Sequence, residues 1–155
     1  MRRKEREISE KNELAQILQE ASTMRIAIST GKVPYIVPLN YGWEWNNSLY
    51  IYFHSAPEGR KVTLLQSSPD IGVEIDCGHE LITGDLACDW GMKFKSIIAE
   101  GIVHEIIDIE EKKHGLDCIM KQYGFQGETE YSVKMLEYTK IYRIDITKIS
   151  GKAKK

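Results

Sequence analysis

Apolar positions recur every three or four residues over residues 10–21, a spacing typical of an amphipathic helix. Leu14, Ile17 and Leu18 form the apolar stripe of this helix. Ser9 precedes the stripe and is the expected N-cap, because its hydroxyl can accept a hydrogen bond from the first turn. The chain is therefore predicted to begin its folded part with a helix that buries one face.

A second helical stripe follows in the last third of the chain. Its members are Ile109, Leu116, Ile119, Met120 and Tyr123. Asp108 and Glu111 resemble a capping box at its start, and Gly124 is a natural residue for its C-terminal end. A further helical turn is expected within residues 130–137.

Period-two alternation and β-branched or aromatic residues predict six strands. They cover residues 24–29, 33–41, 49–54, 71–76, 96–107 and 138–146. Turn residues at 30–32 and 45–48 separate the first three strands. Gly101 lies inside the fifth strand and predicts a bulge or bend there.

The second predicted strand has an apolar face and a proline face. Tyr35, Val37 and Leu39 share the first, and Pro34 and Pro38 share the second. Proline cannot donate a ladder hydrogen bond, so this strand is predicted to have an open edge or a bulge.

Residues 77–94 show no clear period. A connection of that length in a compact domain is usually a lid or a binding loop. The lysine-rich end, residues 151–155, is expected to be a frayed tail.

These elements predict a mainly β protein of the α+β class, a small antiparallel barrel or sandwich with helices packed outside. No repeat, low-complexity segment or domain boundary interrupts the chain, so residues 1–155 are expected to form one domain.

Composition supports a globular protein. The chain has 155 residues, of which 42% are hydrophobic and 28% charged, and its net charge is −2. These values argue against disorder and give no electrostatic case for binding nucleic acid or an anionic membrane.

The expected location is the cytoplasm. The charged segment MRRKEREISEKNE resembles neither a signal peptide nor a membrane anchor, and no apolar run is long enough to span a bilayer. Cys77, Cys88 and Cys118 are odd in number and contain no CxxC pair, which favours reduced thiols.

Arg60 and Lys61 stand at the expected first turn of a short helix, where the helix dipole is already positive. Two cations are unfavourable there unless an anion is present, and with free N–H groups they could then bind a phosphate. His54 and Ser55, at the end of the preceding strand, could donate to the same anion. The alternative is that Glu58 neutralises the pair and both cations face water.

Three segments resemble a known superfamily. PYIVPLNY, LYIYFHSAPEGRK and SIIAEG are similar to the FMN-binding split-barrel proteins related to pyridoxamine 5'-phosphate oxidase, and most of all to the nitroimidazole-resistance group. The resemblance covers nearly the whole chain. It implies a six-stranded antiparallel split β-barrel with flanking helices, and a homodimer with one FMN at each end of its interface.

The resemblance also implies which residues hold FMN. Val37, Pro38, Leu39 and Asn40 match the strand along the flavin ring; Phe53, His54 and Ser55 match the strand end near the ribityl chain and phosphate; Arg60 and Lys61 match the phosphate-binding pair; and Ser96 matches a side-chain contact to the flavin. Oxidase members carry glutamine at the position of Ser96. The oxidase's C-terminal substrate-binding segment has no counterpart here, so pyridoxamine phosphate oxidation is not expected.

No metal site is predicted. Cys77, His79, Cys88 and His104 could supply zinc ligands, but their spacing is poor for such a site. Ordinary thiols and a structural histidine are the preferred interpretation.

The first functional hypothesis is an FMN-dependent oxidoreductase acting on small, electron-poor substrates such as nitroimidazoles, with His54 the one candidate catalytic residue. The alternative is a flavin-binding protein without turnover, serving as a store, sensor or scavenger. A variant of that alternative has His54 ligating haem.

Overall fold

A computed structural model of the chain describes residues 4–154, so the first three residues of the charged N-terminal segment and Lys155 of the tail lie outside the described part. The helices are α1 (Lys11–Glu20), α2 (Arg60–Ser67), α3 (Ile109–Gln122) and α4 (Val133–Tyr138), with short 3₁₀ turns at Lys4–Arg6 and Ala87–Asp89. The strands are β1 (Glu7–Ile8), β2 (Met24–Ile28), β3 (Tyr35–Leu39), β4 (Gly42–Trp45), β5 (Leu49–Ser55), β6 (Asp70–Ile82), β7 (Gly91–Ile106) and β8 (Lys140–Lys154). No described helix has both the length and the apolar character that crossing a membrane requires.

The strands form one antiparallel sheet in the order β3-β2-β6-β7-β8-β5-β4, with β1 paired to β8. The six predicted strands are all present, and the sheet has eight because the short strands β1 and β4 were not expected. The strand β3, which contains Pro38 and directly follows Pro34, lies at one end of this order, as its sequence predicts. The ladder between β7 and β8 shifts register between Glu100 and Gly101, which confirms the predicted irregularity.

The sheet wraps around one core. Buried side chains of β5, including Ile51 and Phe53, belong to the same apolar cluster against which Tyr35 and Val37 of β3 pack. The end strands β3 and β4 do not pair with each other, so the barrel has an open seam. This is the mainly β split barrel that the sequence and its resemblance indicated.

The prediction of a long loop over residues 77–94 is wrong for most of its length. β6 and β7 extend through it as a paired hairpin, and residues 83–90 alone connect the two strands. A register shift between Cys77 and Glu80 interrupts the ladder, with Gly78 at a φ of +66°. Most side chains near the tip are exposed, so no inward-facing alternation marks the strands in the sequence.

The described part of the tail, up to Lys154, is also not frayed. β8 pairs with β7 as far as Phe94 and Lys154. Ala153 is buried in the core, and this anchors a segment whose composition alone suggested solvent.

The caps of α3 follow the prediction, and the N-cap of α1 does not. The Asp108 side chain accepts a 3.0 Å hydrogen bond from the Glu111 amide, and Gly124 has a φ of +84°. The N-cap of α1 is Glu10 and not Ser9, and the Glu10 side chain makes no capping bond.

The predicted apolar stripe of α3 is only partly buried. Leu116 and Ile119 are buried as expected. The other members of the stripe are largely exposed: Ile109, Met120 and Tyr123.

Candidate functional site

The helix α2 begins on two cations with no side-chain cap. Its N-cap is Gly59, with a φ of +135° that favours glycine, and glycine has no side-chain oxygen to accept from the first-turn amides. The amides of that turn have no partner within the helix, and they carry the positive end of its dipole. Arg60 and Lys61 therefore add two charges where an anion is already favoured.

Both cations lie over aromatic rings at the mouth of the barrel. The Arg60 Cζ atom is 4.4 Å from the ring centroid of Tyr35, and Lys61 Nζ is 5.7 Å from that of Phe53. Tyr35 is on β3 and Phe53 on β5, so the start of α2 spans the barrel between these two strands. These cation–π contacts fix where the charges lie without neutralising them.

Neither Arg60 nor Lys61 forms an ion pair or a side-chain hydrogen bond within residues 4–154. The alternative in which Glu58 neutralises the pair therefore finds no support in these contacts. Lys61 is half-buried, and burial lowers its pKa because protein atoms replace the water around the ammonium group. An anion beside Lys61 would stabilise that charge.

His54 and Ser55 end β5 next to this helix. The pKa of the His54 imidazole is lowered, first by loss of surrounding water and then by the charge of Lys61. Near neutral pH the ring is therefore mainly neutral. Ser55 is buried and pairs along the backbone with Lys140.

The four residues expected along a flavin ring divide between two faces of the edge strand. Val37 and Leu39 pack inward against the core, whereas Pro38 and Asn40 are exposed. Asn40 lies just after the last residue of β3. The exposed edge of β3 is the part that an external ring could reach.

Ser96 is separated from the α2 cations. It lies on β7 opposite Asp76 of β6 and Lys152 of β8, three strands from β3 in the order of the sheet. One chain thus brings together Phe53, His54, Arg60 and Lys61, and it places Ser96 elsewhere.

Two aromatic residues complete the mouth of the barrel, and the sequence did not single them out for this role. Tyr35 carries the Arg60 guanidinium, and Tyr142 stacks on Phe53 with ring centroids 5.0 Å apart and an interplanar angle of 16°. Their apolar alternation predicted inward faces, but neither the contact of Tyr35 with Arg60 nor the stacking of Tyr142 on Phe53.

The candidate zinc ligands considered from the sequence do not converge. His79 contacts Asp76 at 2.9 Å and His104 lies 3.7 Å from Asp145, while Cys77 lies 3.7 Å from Glu20. Within residues 4–154, the one group of three potential ligands is a different set: Glu44, His114 and Cys118.

Comparison with solved structures finds the same fold in several proteins. A protein from Bacteroides thetaiotaomicron, described as a 5-nitroimidazole antibiotic resistance protein, has 30% sequence identity, covers 95% of this chain and 86% of its own, and gives a TM-score of 0.82. The flavocytochrome Anf3 from Azotobacter vinelandii has 18% identity, covers 100% of this chain and 72% of its own, and gives a TM-score of 0.81. A FAD- and haem-binding protein from Mycobacterium smegmatis has 14% identity, covers 97% and 74%, and gives a TM-score of 0.78.

No match was found among curated proteins. A family model described as pyridoxamine 5'-phosphate oxidase matches residues 10–153, nearly the entire chain. The chain therefore belongs to the pyridoxamine 5'-phosphate oxidase family, within the split-barrel superfamily that also contains the Bacteroides resistance protein.

Proposed function

We propose that this protein binds FMN and holds its phosphate at the start of α2. The observation that carries the proposal is Lys61, a half-buried cation that has no carboxylate partner within residues 4–154 and stands beside a second cation at an uncapped helix N-terminus. A phosphate monoester carries about −1.5 to −2 charge at neutral pH and would offset all three sources of positive potential.

The residues present fit this group. The Arg60 guanidinium can donate to two phosphate oxygens at once, and Lys61 supplies a point charge. The first-turn amides of α2 can donate to the remaining oxygen. Neutral His54 can donate one ring N–H nearby, depending on its tautomer.

The flavin ring is proposed to lie along the exposed edge of β3. That edge presents Pro38 and Asn40, and Pro38 has no N–H to donate. Backbone groups at an unpaired strand edge can hydrogen-bond a flat polar ring. FMN rather than another phosphate is favoured by the family to which the chain belongs.

A second copy of the chain is proposed to complete the site. Ile36 and Ile98 are 62% and 56% exposed on the outer face of the sheet, where they would be costly in water but suit a two-fold contact. Such a contact could bring Ser96 of one chain toward the FMN held by α2 of the other. Within a single chain, Ser96 and the start of α2 lie apart.

The proposed activity is reduction of small, electron-poor compounds such as nitroimidazoles, in line with the description of the Bacteroides relative. When bound, FMN supplies the redox chemistry. The chain's own residues bind the phosphate, orient the ring and limit water. His54 is the candidate for moving a proton, since its imidazole is neutral near pH 7 and can accept one.

A second candidate is cofactor binding without turnover, including haem binding through His54. The lowered pKa of His54 leaves an unprotonated imidazole nitrogen available as a ligand. In addition, one protein of the same fold is described as a flavocytochrome and another as a FAD- and haem-binding protein. A haem Soret band would identify this case.

The test is the absorption spectrum and released cofactor of protein purified without added flavin. FMN at up to one per chain, bleached by a reduced nicotinamide and reoxidised by a nitroimidazole, is the expected result. Bound FMN without reduction by any of several donors would favour the non-catalytic candidate. Failure of the purified protein to bind added FMN would contradict the proposal.

A further inference from the structure

Three potential metal ligands meet where α3 packs on β4. The His114 Nε2 atom lies 3.1 Å from Glu44 Oε1 and 3.7 Å from Cys118 Sγ, and all three ligand atoms lie within 4.8 Å of one another. His114 and Cys118 are one helical turn apart, so both side chains leave the same face of α3.

These separations match those around a single tetrahedral metal ion. Bond lengths of about 2.3 Å to sulfur and about 2.0–2.2 Å to nitrogen and oxygen place the ligand atoms of a zinc site about 3.3–3.7 Å apart. Two of the three separations, 3.1 and 3.7 Å, lie within a few tenths of an ångström of this range, and the third is at most 4.8 Å, so side-chain rotations could bring all three atoms to one ion. A thiolate, an imidazole and a carboxylate are also the ligands that zinc uses in proteins.

The backbone beneath the cluster is held closely. A Cβ atom on Gly42 would lie 2.2 Å from the Cys118 carbonyl carbon, so α3 rests directly on β4 two residues before Glu44. The buried Tyr52 donates a hydrogen bond to Glu44 Oε1 and packs edge-on against the His114 ring at 5.7 Å. Tyr52 therefore orients two of the three ligands, as outer-shell groups of metal sites do.

We propose that Glu44, His114 and Cys118 form a binding site for a divalent metal ion of the zinc class. Three protein ligands leave a fourth position for water or a small molecule. A cavity of about 330 Å³ opens beside Glu44 and Cys118 and is lined in part by Trp43 and Trp45, and it gives that position access to solvent. The site is independent of the proposed FMN site.

Binding requires the Cys118 thiol to lose its proton and the imidazole to be neutral, so it releases a proton to the buffer. Cobalt(II) is a suitable probe, because a thiolate ligand gives a near-ultraviolet charge-transfer band and a tetrahedral site gives strong visible bands. The 155-residue chain, treated with a chelator and a non-thiol reductant, would be titrated with Co²⁺ and then with Zn²⁺.

We expect one Co²⁺ per chain with a thiolate band that Zn²⁺ abolishes by displacement. Cys118→Ser should remove the band, and His114→Gln should weaken metal affinity about 100-fold or more, while Tyr52→Phe should weaken it about 10-fold or more. Cys77→Ser is the matched control, since Cys77 is also half-buried beside a glutamate, Glu20, and should change nothing.

A wild-type chain that gives no thiolate band would overturn the proposal, as would a band that survives Cys118→Ser or disappears in Cys77→Ser. If Cys118→Ser fails to fold, His114→Gln provides the test, because His114 is exposed and its replacement should not disturb folding. His114→Gln with wild-type circular dichroism and unchanged metal affinity would equally overturn the site.

Discussion

The guanidinium of Arg60 lies over the ring of Tyr35, with 4.4 Å between Cζ and the ring centroid. This contact joins the first residue of α2 to the first residue of the edge strand β3. The same helix places Lys61 over Phe53 of β5. The proposed phosphate site and the proposed ring-binding edge are therefore next to each other at the mouth of the barrel.

The pKa of His54 should depend on the charge of Lys61. Its pKa is expected below the ordinary value of about 6.5, first through loss of water and then through the Lys61 charge. Lys61→Ala should raise this pKa by removing the charge, and bound phosphate should raise it by neutralising that charge. Titration of the imidazole signals by NMR measures both effects.

The lowered His54 pKa also has a consequence for stability. Between the folded and unfolded pKa values the unfolded chain binds more protons, so stability from this group is present above about pH 6.5 and is lost as pH falls through the folded pKa. A His54 pKa above 6.5 in the free protein, or no response to Lys61→Ala, would contradict the assigned causes.

Tyr142→Phe is expected not to destabilise the protein. The Tyr142 hydroxyl is buried without a hydrogen-bond partner among the described residues, and burial, followed by the charge of Glu105, raises its pKa to about 12. Removing it should raise the free energy of unfolding by about 1 kcal/mol, because an unsatisfied buried group costs about 1–3 kcal/mol. The stacking on Phe53 is retained.

Tyr41→Phe provides the matched comparison in denaturant titrations. The buried Tyr41 hydroxyl donates to the Leu18 carbonyl at 2.7 Å, so its loss should lower the free energy of unfolding by about 1 kcal/mol or more. Equal losses in both variants would show that the Tyr142 hydroxyl has a partner.

The dimer proposal predicts a mass of about twice 17.8 kDa by light scattering. Ile98→Asp should shift the protein toward monomer, because a carboxylate would then have to be buried in the contact. Val133→Asp is the control: Val133 is 68% exposed on α4, an element that carries neither Ile36 nor Ile98. The proposed dimer contact would be contradicted if the wild-type protein is monomeric, or if Ile98→Asp leaves the dimer unchanged.

The sequence was most informative where a local rule decides the structure. Pro34 and Pro38 predicted an open edge or a bulge because proline lacks an N–H, and the order of the sheet confirms an edge strand. Asp108 and Gly124 predicted the ends of α3 for equally local reasons. The pair Arg60 and Lys61 at a helix start predicts an anion site, and this stays a prediction.

What the sequence could not predict depends on distant packing. Arg60 meets Tyr35 only because the sheet curls, and His114 meets Glu44, 70 residues away in sequence, only because α3 docks on β4. The hairpin formed by the ends of β6 and β7 was missed because its strands lack a buried face to mark their alternation.

The central claim is that the start of α2 holds the FMN phosphate. Losing a hydrogen bond to a charged group costs about 1.5–3 kcal/mol, so Arg60→Ala should weaken FMN roughly 10- to 150-fold. Riboflavin lacks the phosphate, and its affinity should stay unchanged. Lys134→Ala, which removes an exposed charge on α4, serves as the control and should affect neither ligand.

The most direct measurement is therefore FMN and riboflavin affinity, determined side by side in wild type, Arg60→Ala and Lys134→Ala. We expect the affinity for FMN to fall in Arg60→Ala only, and the affinity for riboflavin to be the same in all three proteins. Unchanged FMN affinity in a folded Arg60→Ala protein, or an equal loss for both flavins, would contradict it.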